Sequence, residues 1–224
     1  MTRTIDETSL ERAIVRHCSP TLAGLKPASL FTFPGDFTAP DAAARRCALE
    51  AAIDACAHQV MPAGLALCVL AWRSCGALVY VYRPHELAAY LADRRAAVPL
   101  SRAGYDLSTL ESCLATLAER LSAMEGKRPA AAQATGQPCP CTKRGCARAF
   151  PHELGFFLGY PYEDVSAFIE HAGQDYLAVG PWKVYSNLEG ALATFARFRT
   201  ATAKMLRAHE SGSRLMQLAV ATTR

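Results

Sequence analysis

No apolar run in this 224-residue chain approaches the ~20 residues that a membrane-spanning helix needs. The longest clearly apolar stretch, Leu65–Trp72, is far shorter. Met1–Ser9 is polar and carries Asp6 and Glu7, so no apolar secretory leader is expected there. Charge of one sign is also lacking: 24 basic against 20 acidic residues leave a net charge of +4. The adjacent basic pairs Arg45-Arg46, Arg94-Arg95 and Lys143-Arg144 form no single stripe, which argues against a nucleic-acid surface. The Gly-x-Gly-x-x-Gly, P-loop, His-Glu-x-x-His and Gly-x-Ser-x-Gly patterns are all missing. The dinucleotide fingerprint, the zincin helix and the nucleophile elbow are therefore not routes to a function here. The expectation is a cytoplasmic protein that engages neither a membrane nor a nucleic acid.

What is present suits a globular chain. The hydrophobic content of 51% and charged content of 20% are ordinary for one domain with a sizeable core. Nine cysteines is a high and odd number. They are scattered through predicted helices and strands, unlike the short, loop-rich framework of a secreted disulfide scaffold. Most are expected to be reduced, with Cys56 and Cys68 acting as small core hydrophobes.

Thr8 and Glu11 have capping-box spacing, which predicts a short helix to about His17, with Pro20 helping to stop it. Ala28–Phe33 reads as a strand ended by Pro34-Gly35. Leu49, Ile53, Cys56 and Val60 recur at helical spacing after Pro40, and Pro62 and Gly64 close that helix. Leu65–Trp72 reads as a central strand. A turn at Ser74-Cys75-Gly76 then leads into Ala77–Arg83, where Val79 and Val81 share one face and Tyr80 and Tyr82 the other. Pro84 starts a helix with Leu87, Tyr90 and Leu91 inward. Asp106 or Ser108 caps another, whose seam runs Leu107, Leu110, Leu114, Leu117, Leu121 and Met124. Residues 125–148, rich in Ala, Gly, Pro, Lys and Arg, read as a linker or mobile loop. Tyr176–Tyr185 reads as a strand bent at Gly180-Pro181. Asn187 caps a long helix with Leu188, Leu192, Phe195 and Leu206 buried, and Ser213–Ala221 forms a last helix or strand. The sum is α+β: a small, mostly antiparallel sheet, made of the hairpin 65–83 and strands near 28–33 and 176–185, with helices on at least one face.

The segment Phe150–Val165, FPHELGFFLGYPYEDV, combines a His-Glu pair, aromatics, a Gly-Tyr-Pro turn and an acidic helix start. No common turn or repeat demands that combination. Together with His17–Phe31 (HCSPTLAGLKPASLF) and Gly180–Tyr185 (GPWKVY), it resembles the bacterial family known as domain of unknown function 3793. The likeness spans nearly the whole chain apart from the N-terminal tail and the 125–148 segment. The resemblance implies an architecture and an association with iron or redox metabolism, with a flavodoxin-like protein as a possible partner. It implies no particular reaction.

Four groups of residues are candidate sites. His17 and Cys18 are expected at the end of the first helix, where the dipole disfavours a thiolate. Cys18 as a nucleophile would need a cation such as Lys26; otherwise it packs in the core. His152 and Glu153, at a helix start, are a candidate acid–base pair, or simply satisfy local backbone groups. Tyr160, Trp182, Lys183 and Tyr185, with His17 and Lys26, are candidates to stack a planar ligand and pair its anionic group; ordinary core aromatics are the alternative. Cys139, Cys141 and Cys146 place three thiols close together, with His152 as a possible fourth ligand for zinc or iron. Cys139-Pro140 can also serve as a haem-responsive ligand, and flavin remains open.

These residues support three readings. The first is a ligand-binding or accessory protein of iron or redox metabolism, with its pocket where the three blocks meet. The second is an enzyme using Cys18 or the His152/Glu153 pair. The third is a protein-interaction module.

Overall fold

The computed structural model describes residues 5–124 and 150–221. The chain opens with helix α1 (Glu7–Leu22), strand β1 (Ala28–Phe33) and helix α2 (Ala42–Val60). A single 3-10 turn, Met61–Ala63, leads into strands β2 (Ala66–Arg73) and β3 (Gly76–Tyr82). Helices α3 (Pro84–Ala92), α4 (Arg94–Arg102) and α5 (Leu110–Ser122) follow. After residue 150 come α6 (Leu154–Phe157), α7 (Tyr162–Glu170), the short strands β4 (Ala178–Val179) and β5 (Lys183–Val184), then α8 (Leu188–Glu210) and α9 (Leu215–Leu218). The fold is α+β.

The main sheet has the antiparallel order β1-β3-β2. The strand expected to be central, β2, is therefore an edge, and β3 takes the middle. Tyr82 pairs with Ala28 on one side and Ala66 on the other. Alternation in β3 sends Ala77, Val79 and Val81 to one apolar cluster and Leu78 and Tyr80 to another. The first cluster takes in α1, α2, α9 and the end of α8, and the second takes in α3 to α7. Helices thus cover both sheet faces. A bulge between Val69 and Ala71 breaks the alternation of β2, so Leu70 and Ala71 both join the second cluster. That is why Leu65–Trp72 reads as a continuous apolar run.

The Tyr176–Tyr185 strand does not join this sheet. It folds back on itself as the separate β4–β5 ribbon, turning at Gly180-Pro181. Several helix boundaries also differ from the sequence expectation. The α1 cap is Asp6, whose carboxylate accepts from Ser9 N at 2.8 Å, in place of the Thr8/Glu11 box. The helix runs through Pro20 to Leu22. Proline removes one i→i−4 bond, but the carbonyl left without that donor belongs to Arg16 on the exposed side of α1, where water can take it. Thr109 caps α5. Asp93 caps α4, a helix that the sequence pattern did not signal. In α8 the buried residues are Ala191, Phe195, Phe198 and Met205, while Leu188 and Leu192 are exposed.

A buried arginine ties the parts around the later site. Arg83 donates to the carbonyls of Thr21 (2.9 Å), Leu22 (3.0 Å), Ala63 (3.2 Å) and Val220 (2.7 Å). Its backbone N–H donates to Pro27 O at 2.8 Å. These bonds satisfy helix-end carbonyls of α1 and hold the 23–27 loop against the start of α3. Among the described residues, no helix is long and apolar enough to cross a membrane.

Candidate functional site

A cleft of about 570 Å³ lies between the second half of α1, the start of β1, the turn after α6 and the middle of α8. That volume is within the range of small-molecule sites. His17, Lys26 and Ser29 line one wall, Tyr160 and Pro181 a second, and Phe195, Phe198 and Arg199 a third. Among the described residues, its lining contains no Asp or Glu.

Local chemistry explains why these segments meet. Gly159 ends α6 at φ +67°, and a Cβ there would be driven into the Pro27 ring. Glycine therefore lets the turn lie directly on the residue after Lys26. Tyrosine hydroxyls fix this turn from the other side: Tyr80 donates to Phe157 O at 2.5 Å, and Tyr90 donates to Tyr160 O. The Tyr90 ring stacks on Tyr162 with centroids 4.3 Å apart. The result carries Tyr160 to Lys26, whose ammonium sits 4.9 Å from the Tyr160 ring centroid.

The ribbon is fastened by one buried carboxylate. Asp164, in the first turn of α7, accepts from Trp182 Nε1 at 2.7 Å, Tyr185 N at 2.9 Å, and Ser186 N and Oγ at 3.0 Å each. Trp182 is thereby held behind the cleft wall. Its ring lies 5.3 Å from Tyr160 and meets Phe195 edge-on at 4.5 Å. Gly180 allows the close approach, since a Cβ there would strike the Phe195 ring.

The electrostatics are one-sided. Burial pulls the Lys26 ammonium down to about 8, against a smaller opposing pull from Cys18. Among the described residues Lys26 has no ion-pair partner. Burial, helped by the Arg16 charge, lowers His17, which stacks on Phe31 at 5.4 Å and lies on the exposed side of α1. Burial raises Tyr160 to about 12, so its phenol stays neutral. Arg199 is exposed at the rim. The cleft thus presents cations and aromatic faces and, among the described residues, no anionic counter-charge.

A family model described as "Protein of unknown function (DUF3793)" matches residues 14–219, and this span takes in all the blocks that build the cleft. The chain belongs to this family. No curated protein and no solved structure matches the chain.

In this family member the site residues expected from sequence divide into groups. His17, Lys26 and Tyr160 come together in the cleft. Trp182 buttresses its wall from behind. Lys183 points elsewhere: its ammonium donates to Gly173 O at 2.6 Å and sits 4.5 Å from the Tyr176 ring centroid. Tyr185 stacks on His171 at 5.7 Å.

Cys18 is fully buried in α1, not at the helix end, and burial pushes its thiol far up despite the nearby Lys26 charge. Desolvation outweighs the cation, which keeps the sulfur a thiol. His152 lies against the Phe150 and Phe168 rings, at 5.7 and 5.2 Å, and outside the cleft lining. Glu153 is the N-cap of the four-residue α6 and makes no side-chain capping bond. Cys139, Cys141, Cys146 and the 125–148 segment lie outside the described residues. Among the described residues, no group of three or more His, Cys, Asp or Glu side chains is placed to hold a metal.

Three contributors were missed in the sequence: Asp164, Arg83 and Arg199. Asp164 stood within the Phe150–Val165 segment as part of its acidic helix start. Arg83 directly precedes Pro84 at the end of a strand pattern, a place where a charged residue reads as surface. Nothing in the sequence distinguished Arg199 from other arginines of a long amphipathic helix.

Proposed function

We propose that this protein binds a small organic anion with a flat, apolar body in the cleft between α1, α8 and the Gly159–Tyr160 turn. The observation that carries this reading is the lining itself: Lys26 and Arg199 with Tyr160, Phe195 and Phe198, and no carboxylate among the described residues. An aromatic wall stacks a planar ligand, while a partly desolvated ammonium takes its charged group. Binding also relieves the protein of an unpaired, half-buried cation, which costs free energy in the empty cleft. The iron or redox association implied by the family resemblance makes flavin mononucleotide and haem the first ligands to test, since both are planar and anionic. In this reading the protein is a cytoplasmic accessory or carrier protein forming one domain, and Cys18 is a packing residue.

Equilibrium titration of purified protein with flavin mononucleotide and with haem tests the reading. Micromolar binding is expected for at least one of them. Lys26→Met is expected to weaken it at least tenfold, about 1.4 kcal/mol, and Phe198→Ala by a similar factor. Failure of both ligands to bind, or binding that Lys26→Met leaves unchanged, contradicts it.

A further inference from the structure

We infer that Lys26 is a covalent anchor: it forms a reversible imine with an aldehyde or ketone carried by the anionic ligand of the cleft. This rests on the cleft-binding reading above and adds a bond to it for planar anions that carry a free aldehyde or ketone, a group that flavin mononucleotide and ordinary haem lack. Several independent features of the site converge on this amine.

Lys26 is the lysine that lines the cleft, whereas Lys183 is engaged with the Gly173 carbonyl. Its nitrogen stands beside the Tyr160 ring, 4.9 Å from the centroid, and no carboxylate among the described residues pairs with it. A lysine used for a salt bridge would have an acid beside it. This one lies partly buried against the Tyr160 ring and near the buried Cys18 thiol. Desolvation disfavours the ammonium and so favours a free amine with an available lone pair at mildly alkaline pH. Lysines activated in this way attack carbonyl carbons.

The step balances without a redox partner. The ammonium first releases one proton to solvent. The amine nitrogen then attacks the carbonyl carbon, and the carbonyl oxygen departs as water with the two remaining N–H hydrogens. One C=O and two N–H bonds become one C=N bond and one water. Arg199 at the rim is left to hold the ligand's anionic group.

The test uses pyridoxal 5′-phosphate as the probe, because it is planar, anionic and an aldehyde. The whole protein is incubated with equimolar probe, reduced with borohydride and mapped by peptide mass spectrometry. The chain has five lysines, Lys26, Lys127, Lys143, Lys183 and Lys204, which serve as internal comparisons. The expected result is labelling of Lys26 at least tenfold above exposed Lys204, rising with pH around a midpoint near 8. Pyridoxine 5′-phosphate, which lacks the carbonyl, is expected to protect Lys26. Lys26→Arg, which keeps the charge but forms no imine, is expected to lose that label while retaining its circular dichroism spectrum.

Labelling spread evenly over the lysines, or absent at Lys26, overturns the proposal. If pyridoxine 5′-phosphate binds but Lys26 is not trapped by the aldehyde, only the imine falls and cleft binding stands. If neither compound binds at the cleft, the imine falls; cleft binding falls with it only if flavin mononucleotide and haem also fail to bind.

Discussion

At the scale of single residues, the molecule depends on a few buried polar groups whose partners are backbone atoms. Asp164 is the sharpest case. Replacing it with Ala leaves three N–H groups and one hydroxyl of the ribbon without their acceptor. Each orphaned buried donor costs about 1–3 kcal/mol, although Ser186 is exposed and can turn to water. We predict that Asp164→Ala destabilises the protein by about 2–4 kcal/mol and shifts Trp182 emission to the red, with Asp164→Asn intermediate. Unchanged emission and unfolding midpoint would show that the ribbon is held by something else. The sequence made the type of most site residues legible but not their partners. Tyr160 stood out as one of a group of aromatics with a cation, and Lys26 as the cation that a reactive Cys18 would need, with ordinary core packing as the alternative. Lys183 and Tyr185 belonged to the same group, yet they meet Gly173 and His171 outside the cleft. A strand pattern says which residues share a face and nothing about what that face will meet.

At the scale of elements, the cleft exists because a glycine turn is pressed onto a proline loop. Gly159→Ala places a Cβ in the left-handed region and against Pro27 at once. We predict a loss of about 2–3 kcal/mol and weaker ligand binding, whereas Gly212→Ala, with open space around its Cβ, loses only the backbone term. Equal losses for the two variants in urea unfolding would contradict this packing argument. The hairpin and the α2 seam were legible because their periodicities are strong: Leu49, Ile53, Cys56 and Val60 are all buried as their spacing requires. The α8 face was misjudged because long helices partner different elements along their length. Its first turns carry the exposed Leu188 and Leu192, and only from Ala191 and Phe195 onward does its apolar stripe meet the ribbon and α1. Pro20 was read as a stop because propensity ignores where the displaced carbonyl points. Two-residue strands such as β4 and β5 are too short for any period to separate them from a single bent strand.

At the scale of the whole molecule, a sheet is covered on both faces, and many ionisable side chains are buried in their neutral form. This gives the protein an alkaline limit. Burial raises Cys56 and Cys68 to about 12 and Cys113 to about 11, and raises Cys18 further. An unfolded thiol ionises near 9, so the unfolded state sheds protons that the folded state keeps. The stability these thiols contribute is complete below pH 9 and is lost as pH rises through their folded values. Lys26 acts in the opposite direction: its folded value lies near 8, below the unfolded 10.5, so its term gains between those limits. Above pH 9 four thiols outweigh one amine. We predict that the urea midpoint peaks between pH 8 and 9 and then falls, at up to ~1.4 kcal/mol per pH unit for each thiol. Cys68→Ala should make that fall shallower; an unchanged slope would mean that these thiols ionise in the folded state. The proposed binding of an anion rests on the cleft lining, with Lys26 and Arg199 and, among the described residues, no Asp or Glu, and it is the claim on which the functional account stands. It is tested most directly by titrating flavin mononucleotide and haem into the protein while following quenching of Trp182, which backs the cleft wall, in parallel with Lys26→Met. The account predicts saturable, one-to-one quenching that weakens with added salt and is lost at least tenfold in the variant. Quenching that fails to saturate, or that Lys26→Met does not alter, would contradict it.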